Sequence, residues 1–186
     1  MAKWAIIYDS KYGSTEKYAR WLQQKLDADL YKMKNVKTEN LIGYELLIFA
    51  GAIYNDKIAV TDVIKRNIGH LMFKKVVVLA NGWYEDNFVN KEWLMDKNFS
   101  PEMHGRFPLF LVRGEIDSMK TSLPDKMSLK MQKAQINKRP DRTNDDIVAI
   151  SMIDGMNKYT AEENLTPLVE FLTGGKNWTA GRKSSL

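Results

Sequence analysis

The first twenty residues constrain the fold of this chain more than any other stretch. Lys3-Trp4-Ala5-Ile6-Ile7-Tyr8 is an apolar run of strand length, and Asp9-Ser10-Lys11-Tyr12-Gly13-Ser14-Thr15 is a turn carrying hydroxyls and one glycine. Tyr18, Ala19, Leu22 and Leu26 then recur at helical spacing. A strand feeding a helix through such a turn makes an anion cradle. The first N–H groups of the helix have no internal partner, and the aligned peptide dipoles place positive potential there. Ser10, Ser14 and Thr15 add hydroxyl donors, and Gly13 lets the backbone approach closely. The expected guest is a phosphate, although a Gly-Ser-Thr helix entry also serves as a plain cap.

The turn lacks both the GxxxxGK[ST] of a nucleotide-hydrolysing loop and the GxGxxG of a dinucleotide site. Further along, strand and helix signals alternate, which is the pattern of an α/β fold with a parallel sheet. A short strand is expected at Asp29–Met33, and Leu46-Leu47-Ile48-Phe49-Ala50 reads as a strand covered on both faces. Val60, Val63, Ile64 and Ile68 mark a helix after the loop Gly51–Asn55. Val76-Val77-Val78-Leu79 is a fourth strand running into Asn81-Gly82-Trp83-Tyr84, followed by a helix carrying Val89 and Trp93. Phe107–Val112 is the fifth. Five parallel strands with right-handed crossovers allow few topologies, and in one of them, the order 2-1-3-4-5, the ligand lies outside the carboxyl ends of strands 1, 3 and 4. The loops there are Ser10–Thr15, Gly51–Asn55 and Asn81–Tyr84.

The composition narrows the chemistry. With no cysteine, the chain has no disulfide, no thiol nucleophile and no cysteine-held cluster, and its two histidines cannot build a histidine-rich metal site. Any redox work must therefore rest on a bound organic cofactor. The 186 residues suit a single domain, 1–186. No apolar run approaches a membrane span, and the first residues lack the apolar core of a secretory signal, so a cytoplasmic protein is expected. A net charge of +5, with acids interspersed and no recognition motif, falls short of a nucleic-acid footprint.

With these residues in place the chain resembles flavodoxin-domain proteins over nearly its whole length. The resemblance is carried by Tyr8–Thr15, by Ile48-Phe49-Ala50-Gly51-Ala52-Ile53-Tyr54, and by Asp125–Met131 leading through Asp145 to Pro167–Leu172. The pattern is similar to the branch that contains menaquinone-dependent protoporphyrinogen oxidase, which carries an extra helical segment before its last helix. The resemblance implies a flavodoxin-like doubly wound sandwich that binds FMN. Ser10, Lys11, Tyr12, Gly13, Ser14 and Thr15 would surround the phosphate. Ala52, Ile53 and Tyr54 would line one side of the isoalloxazine, and Asn81, Gly82, Trp83 and Tyr84 the other. Arg113, Gly114 and Glu115 would lie near the ring edge or the substrate mouth. Flavodoxins often carry Thr at the position of Tyr12 and Asn at that of Ser14, and soluble carriers are usually acidic, so this basic chain departs from the family habit.

Residues 115–158 are expected as a helical insertion. Ser122-Leu123-Pro124-Asp125 is a helix start, and Leu123, Met127, Met131 and Ala134 form an apolar stripe beside Lys126, Lys130 and Lys133. A second helix is expected at Asp145–Met152. Two readings of the stripe stand: it packs on the domain's own core, or the basic segment 119–142 meets an anionic membrane surface, a quinone or a partner. The function expected is electron transfer or flavin-dependent oxidoreduction, with a redox partner protein or a small-molecule acceptor of quinone or porphyrinogen type. No side chain stands out as a general acid or base; Glu115, Asp117 and Tyr84 are the candidates near the mouth. The rival reading is a non-redox interaction module that has kept the scaffold and lost flavin.

Overall fold

The computed structural model of the chain describes residues 3–117, 119, 121–156 and 158–174, so Ser118, Lys120 and Asn157 of the expected insertion lie outside the described residues. The elements run β1 (Trp4–Asp9), α1 (Ser14–Leu26), β2 (Asp29–Lys32), α2 (Thr38–Leu41), β3 (Leu46–Tyr54), β4 (Lys57–Ile58), α3 (Thr61–Arg66) and α4 (Ile68–Leu71). They continue with β5 (Lys75–Gly82), α5 (Phe88–Asn98), β6 (Leu109–Arg113), α6 (Leu123–Asn137), α7 (Asn144–Ile153) and α8 (Thr166–Thr173).

The parallel path has the order β2-β1-β3-β5-β6, the expected 2-1-3-4-5 once the short β4 is set aside. The sheet has six strands rather than five, because β4 pairs antiparallel with the end of β3 (Ile53↔Ile58, Tyr54↔Lys57). This hairpin turns on Asn55 and Asp56, both at positive φ (47° and 65°), the pattern of a two-residue turn whose twist matches its strands. An Asn-Asp pair tolerates that backbone, so the loop expected here is a hairpin turn.

Apolar side chains alternate between the two faces of the sheet. Ile7, Leu47, Phe49, Val76 and Val78 pack with Ile58, Val60, Ile64 and Leu94 on one face. Ile6, Ile48, Val77 and Leu79 pack with Tyr18, Leu22, Leu165 and Leu168 on the other. Central strands apolar on both faces need helices on both sides, and this is what fixes the sandwich.

Several boundaries shift from expectation for local reasons. The helix read through Ile68 breaks at Asn67, whose Nδ2 donates to the Val63 carbonyl (2.8 Å) and whose Oδ1 accepts from the Thr38 hydroxyl (2.6 Å). The last strand begins at Leu109, after Pro108. Pro167 sits in the first turn of α8, where its missing N–H costs nothing.

The largest correction concerns α6. Of the two readings of its stripe, packing on the domain's own core fails: Leu123, Met127 and Met131 are 78%, 68% and 64% exposed, and Ala134 is exposed as well. The inward face is Asp125, Leu129, Gln132 and Ile136. This face is half polar because, except at Ile136, it looks onto the cleft at the carboxyl ends of the strands rather than onto the sheet.

Candidate functional site

At the end of β1 the chain folds over Gly13, at φ 99° and ψ −23°, and enters α1. The Gly13 amide donates to Ser10 Oγ (3.1 Å), so the turn is held by its own serine. No side chain caps α1, which leaves the amides of its first turn directed at the cleft. Ser14 and Thr15 are both buried. Asn81, at the end of β5, donates through Nδ2 to Ser14 Oγ (2.8 Å) and Thr15 Oγ1 (3.2 Å). A hydroxyl that accepts in this way keeps its own hydrogen to donate elsewhere. The sheet thus supplies a buried amide that turns two hydroxyls into oriented donors at a helix N-terminus.

These parts open onto a cleft of about 360 Å³. Ser10, Lys11, Tyr12, Ser14 and Thr15 from the first turn line it, with Ala52, Ile53 and Tyr54 from β3 and Asn81, Gly82 and Trp83 from the end of β5. Of the positions expected around the phosphate and the ring, Gly13 and Tyr84 stand outside this lining, as does Gly114 beside it. Gly13 shapes the helix entry from its backbone. Tyr84 turns away, packing between Trp83 (5.8 Å between ring centroids) and Trp93 (5.5 Å), and its hydroxyl donates to Asp56 (2.9 Å). Tyr84 therefore braces Trp83 from behind. Gly114 makes room: a Cβ there would stand 2.2 Å from Asn81 Oδ1.

Arg113 is drawn away from the cleft, donating through Nη2 to Asp145 (3.0 Å). Asp145 also accepts from the Glu85 amide (3.0 Å) and Asn90 Nδ2 (2.8 Å), so α7 is pinned to the loop that carries Trp83. Glu115 does line the cleft, where it pairs with Lys17. The Asp117 carboxylate accepts from the Met119 amide (2.9 Å) and its carbonyl accepts from the Thr121 hydroxyl (2.6 Å), which makes it a turn-former.

The sequence reading missed the residues that close the cleft from above: Asp125, Ser128, Leu129 and Gln132 from α6, and Met152 from α7. An ion pair between Lys11 and Asp125 joins the first turn to α6. Asp125 also accepts from the Ser122 hydroxyl (2.5 Å), and these two partners hold its carboxyl down at about 2. Lys11 also lies over the Tyr12 ring (5.4 Å), and Tyr12 meets Tyr54 edge-on at 6.1 Å. Burial raises the pKa values of both tyrosine hydroxyls, so both stay neutral at ordinary pH. The Tyr54 hydroxyl and Gln132 Oε1 are buried without a hydrogen-bond partner.

The flavodoxin-domain family matches residues 5–144 of this sequence, from β1 to the start of α7. The chain belongs to the flavodoxin-domain family. No curated protein matches it. Among solved structures it is similar to the Trp repressor binding protein from Bacillus subtilis, at 16% identity over 81% of this chain and 97% of that one, with a TM-score of 0.41. It is also similar to two-electron reduced Megasphaera elsdenii flavodoxin, at 13% identity over 81% and 98%, with a TM-score of 0.42. A flavodoxin from the domain Archaea stands at 11% identity over 82% and 97%, with a TM-score of 0.40. Among the described residues of this flavodoxin-domain chain no three His, Cys, Asp or Glu side chains gather as a metal site. Nor is any described helix long and apolar enough to cross a membrane.

Proposed function

We propose that this flavodoxin-domain protein binds FMN in the cleft and uses it for electron transfer or flavin-dependent oxidoreduction. The single observation that carries the reading is the uncapped entry of α1, with Ser14 and Thr15 oriented by Asn81, at the head of a cleft walled by Tyr54 and Trp83. The amides and hydroxyls suit a phosphate dianion, and the aromatic and aliphatic walls suit a flat ring with polar edges. Two buried polar atoms without partners in the same cleft are what a ligand with its own donors and acceptors would satisfy.

The residues present therefore fit FMN. Bound there, it would supply one- or two-electron transfer chemistry, while the protein orients it and tunes it through the groups at its edges. Among the described residues, the lysines at the head of the cleft, Lys11 and Lys17, are paired with Asp125 and Glu115, which leaves the phosphate to backbone amides and hydroxyls. The test is titration of the apo-protein with FMN, followed by quenching of flavin fluorescence. Tight one-to-one binding with quenching supports the reading. No binding at high micromolar FMN overturns it in favour of an interaction module on the same scaffold.

The partner is a further part of this proposal. The outward face of α6 exposes Leu123, Met127 and Met131 beside Lys126 and Lys130, and neither lysine has an ion-pair partner among the described residues. From Thr121 to Arg142 the chain carries six basic residues against two acidic ones. An apolar stripe flanked by unpaired lysines complements an anionic lipid surface, where methionines enter the acyl boundary and lysines meet headgroups. An acceptor of quinone type dissolved in that surface would then lie on the far side of the helix that closes the cleft. Co-sedimentation with phosphatidylcholine vesicles, with and without phosphatidylglycerol, tests this contact. Binding that needs the anionic lipid, weakens with salt and is lost in Met127→Asp/Met131→Asp supports it. Equal behaviour of both vesicles, or of both proteins, overturns it and returns the stripe to a protein partner or to plain solvent exposure.

A further inference from the structure

Gln132 is an unusual residue for the inward face of a covering helix. It lies on α6 between Leu129 and Ile136 and lines the cleft. Its Nε2 donates to Asn55 Oδ1 (2.7 Å), on the two-residue turn that joins β3 to β4. That bond fixes the carboxamide and leaves Oε1 facing elsewhere, buried and without a donor. A buried carbonyl oxygen left unsatisfied is costly, since it loses its bonds to water and gains none in the fold. Folded proteins keep such an atom chiefly where a ligand or water completes it.

The chemistry of this unmet acceptor is specific. Carboxamide oxygen accepts and never donates, so the missing partner is a donor. The phosphate and the ring carbonyls of a flavin cannot serve, because they accept too. FMN offers donors at its ribityl hydroxyls and at the N–H groups of its ring, N3 in every redox state and N5 once the ring is reduced. Gln132 is bonded to Asn55, next to the ring-wall residue Tyr54, which favours the ring.

We infer that Gln132 is a flavin-edge acceptor supplied by α6, its Oε1 taking an N–H of the isoalloxazine. The inference rests on the reading of the cleft as an FMN site. It makes α6 a third wall of the site, alongside the turns after β3 and β5, and it makes Asn55 the positioning residue that holds the carboxamide in the required orientation.

The experiment uses the full chain, as apo-protein, with FMN and lumiflavin as the probes. It compares the wild type with Gln132→Leu and Asn55→Ala for two quantities, the dissociation constant of each oxidised flavin and the midpoint potential. Leu keeps the bulk of Gln and stays compatible with the helix, and thermal unfolding of each apo variant checks that it folds. One neutral hydrogen bond corresponds to a loss of roughly two- to tenfold in affinity. If the contact is to N3–H, Gln132→Leu weakens oxidised FMN and lumiflavin, which lacks the ribityl chain, by that amount, and Asn55→Ala weakens both by less. A loss for FMN alone places the donor on the ribityl chain and overturns the inference. If the contact is to N5–H, affinity for oxidised FMN is unchanged and the potential moves to more negative values, because the reduced form loses an acceptor.

Either ring contact supports the inference. Wild-type binding with neither quantity altered in Gln132→Leu overturns it and leaves the FMN site standing. Failure of the wild type to bind FMN removes the FMN site itself.

Discussion

Asn81 and Gly114 fit each other: a Cβ on Gly114 would stand 2.2 Å from Asn81 Oδ1, closer than any real contact. The Gly114 amide donates to the Gly82 carbonyl (3.1 Å), so the end of β6 is fastened to the end of β5 at the point where Asn81 must fit. Asn81 in turn orients Ser14 and Thr15. A glycine some hundred residues from the first turn therefore shapes, without touching it, the cradle proposed for the phosphate.

Gly114→Ala should displace the Asn81 amide and release both hydroxyls. The loss of oriented buried donors corresponds to roughly 1–3 kcal/mol, about five- to 150-fold in FMN affinity. Asn81→Ala should give a similar loss. Because the two act through the same contact, the double variant should be no worse than the weaker-binding single one. Additive losses in the FMN titration would show that Gly114 acts by another route.

Direct variants of the cradle make a second case. Gly13 holds φ 99°, and a side chain there is strained by about 1–2 kcal/mol. Thr15→Val keeps the shape of the buried side chain and removes its hydroxyl donor. Gly13→Val and Thr15→Val should both weaken FMN while leaving riboflavin, which lacks the phosphate, little changed. Equal losses for the two ligands would mean the effect is on the fold rather than on the phosphate site.

How much of this was legible in the sequence depended on which solvent each residue faces. β1, β3 and β5 were readable because strands covered on both faces are continuously apolar, and Gly13-Ser14-Thr15 because the helix entry is local. The role of Gly114 was not, since it consists of a tertiary clash with Asn81. Tyr84 was misplaced for a related reason: adjacency to Trp83 does not say which of two aromatics turns inward, and Asp56 decides it by accepting from the Tyr84 hydroxyl.

The inversion of α6 has the clearest physical cause. Reading apolar spacing as the buried face assumes that a helix packs on an apolar core. α6 instead spans a polar cleft, so Asp125 and Gln132 face inward and the methionines face solvent. Its cap was legible all the same: Ser122 Oγ accepts from the Asp125 amide (3.4 Å), as the Ser-Leu-Pro-Asp start requires.

Asp145 should prove a structural anchor. Its carboxylate takes donors from Arg113, Glu85 and Asn90, which belong to the end of β6, the loop after β5 and α5. Asp145→Ala leaves a partly buried guanidinium and a backbone amide without their acceptor, a cost of about 1–3 kcal/mol. The expected result is a Tm lowered by a few degrees in the apo-protein, with faster FMN release as the Trp83 loop loosens. An unchanged Tm would show that water replaces the carboxylate at no cost.

The Lys11–Asp125 pair gives a prediction whose sign follows from its pKa shift. Asp125 is depressed to about 2 in the folded protein, so the contact between the first turn and α6 is fully formed above the ordinary carboxylate range and is lost only as pH falls towards about 2. Between pH 5 and 9 it should hold steady. Asp125→Asn removes the charge, and Lys11 is then free to face the phosphate. An exposed pair of this kind is weak, so the expected gain in FMN affinity is only about two- to fivefold, and raising the salt should erase it. The same variant unties α6 from the first turn, so FMN should also enter and leave faster. Stopped-flow mixing with FMN separates the two effects: faster association with tighter binding fits a latch competing with phosphate for Lys11. Slower association would mean that Asp125 holds the entrance open.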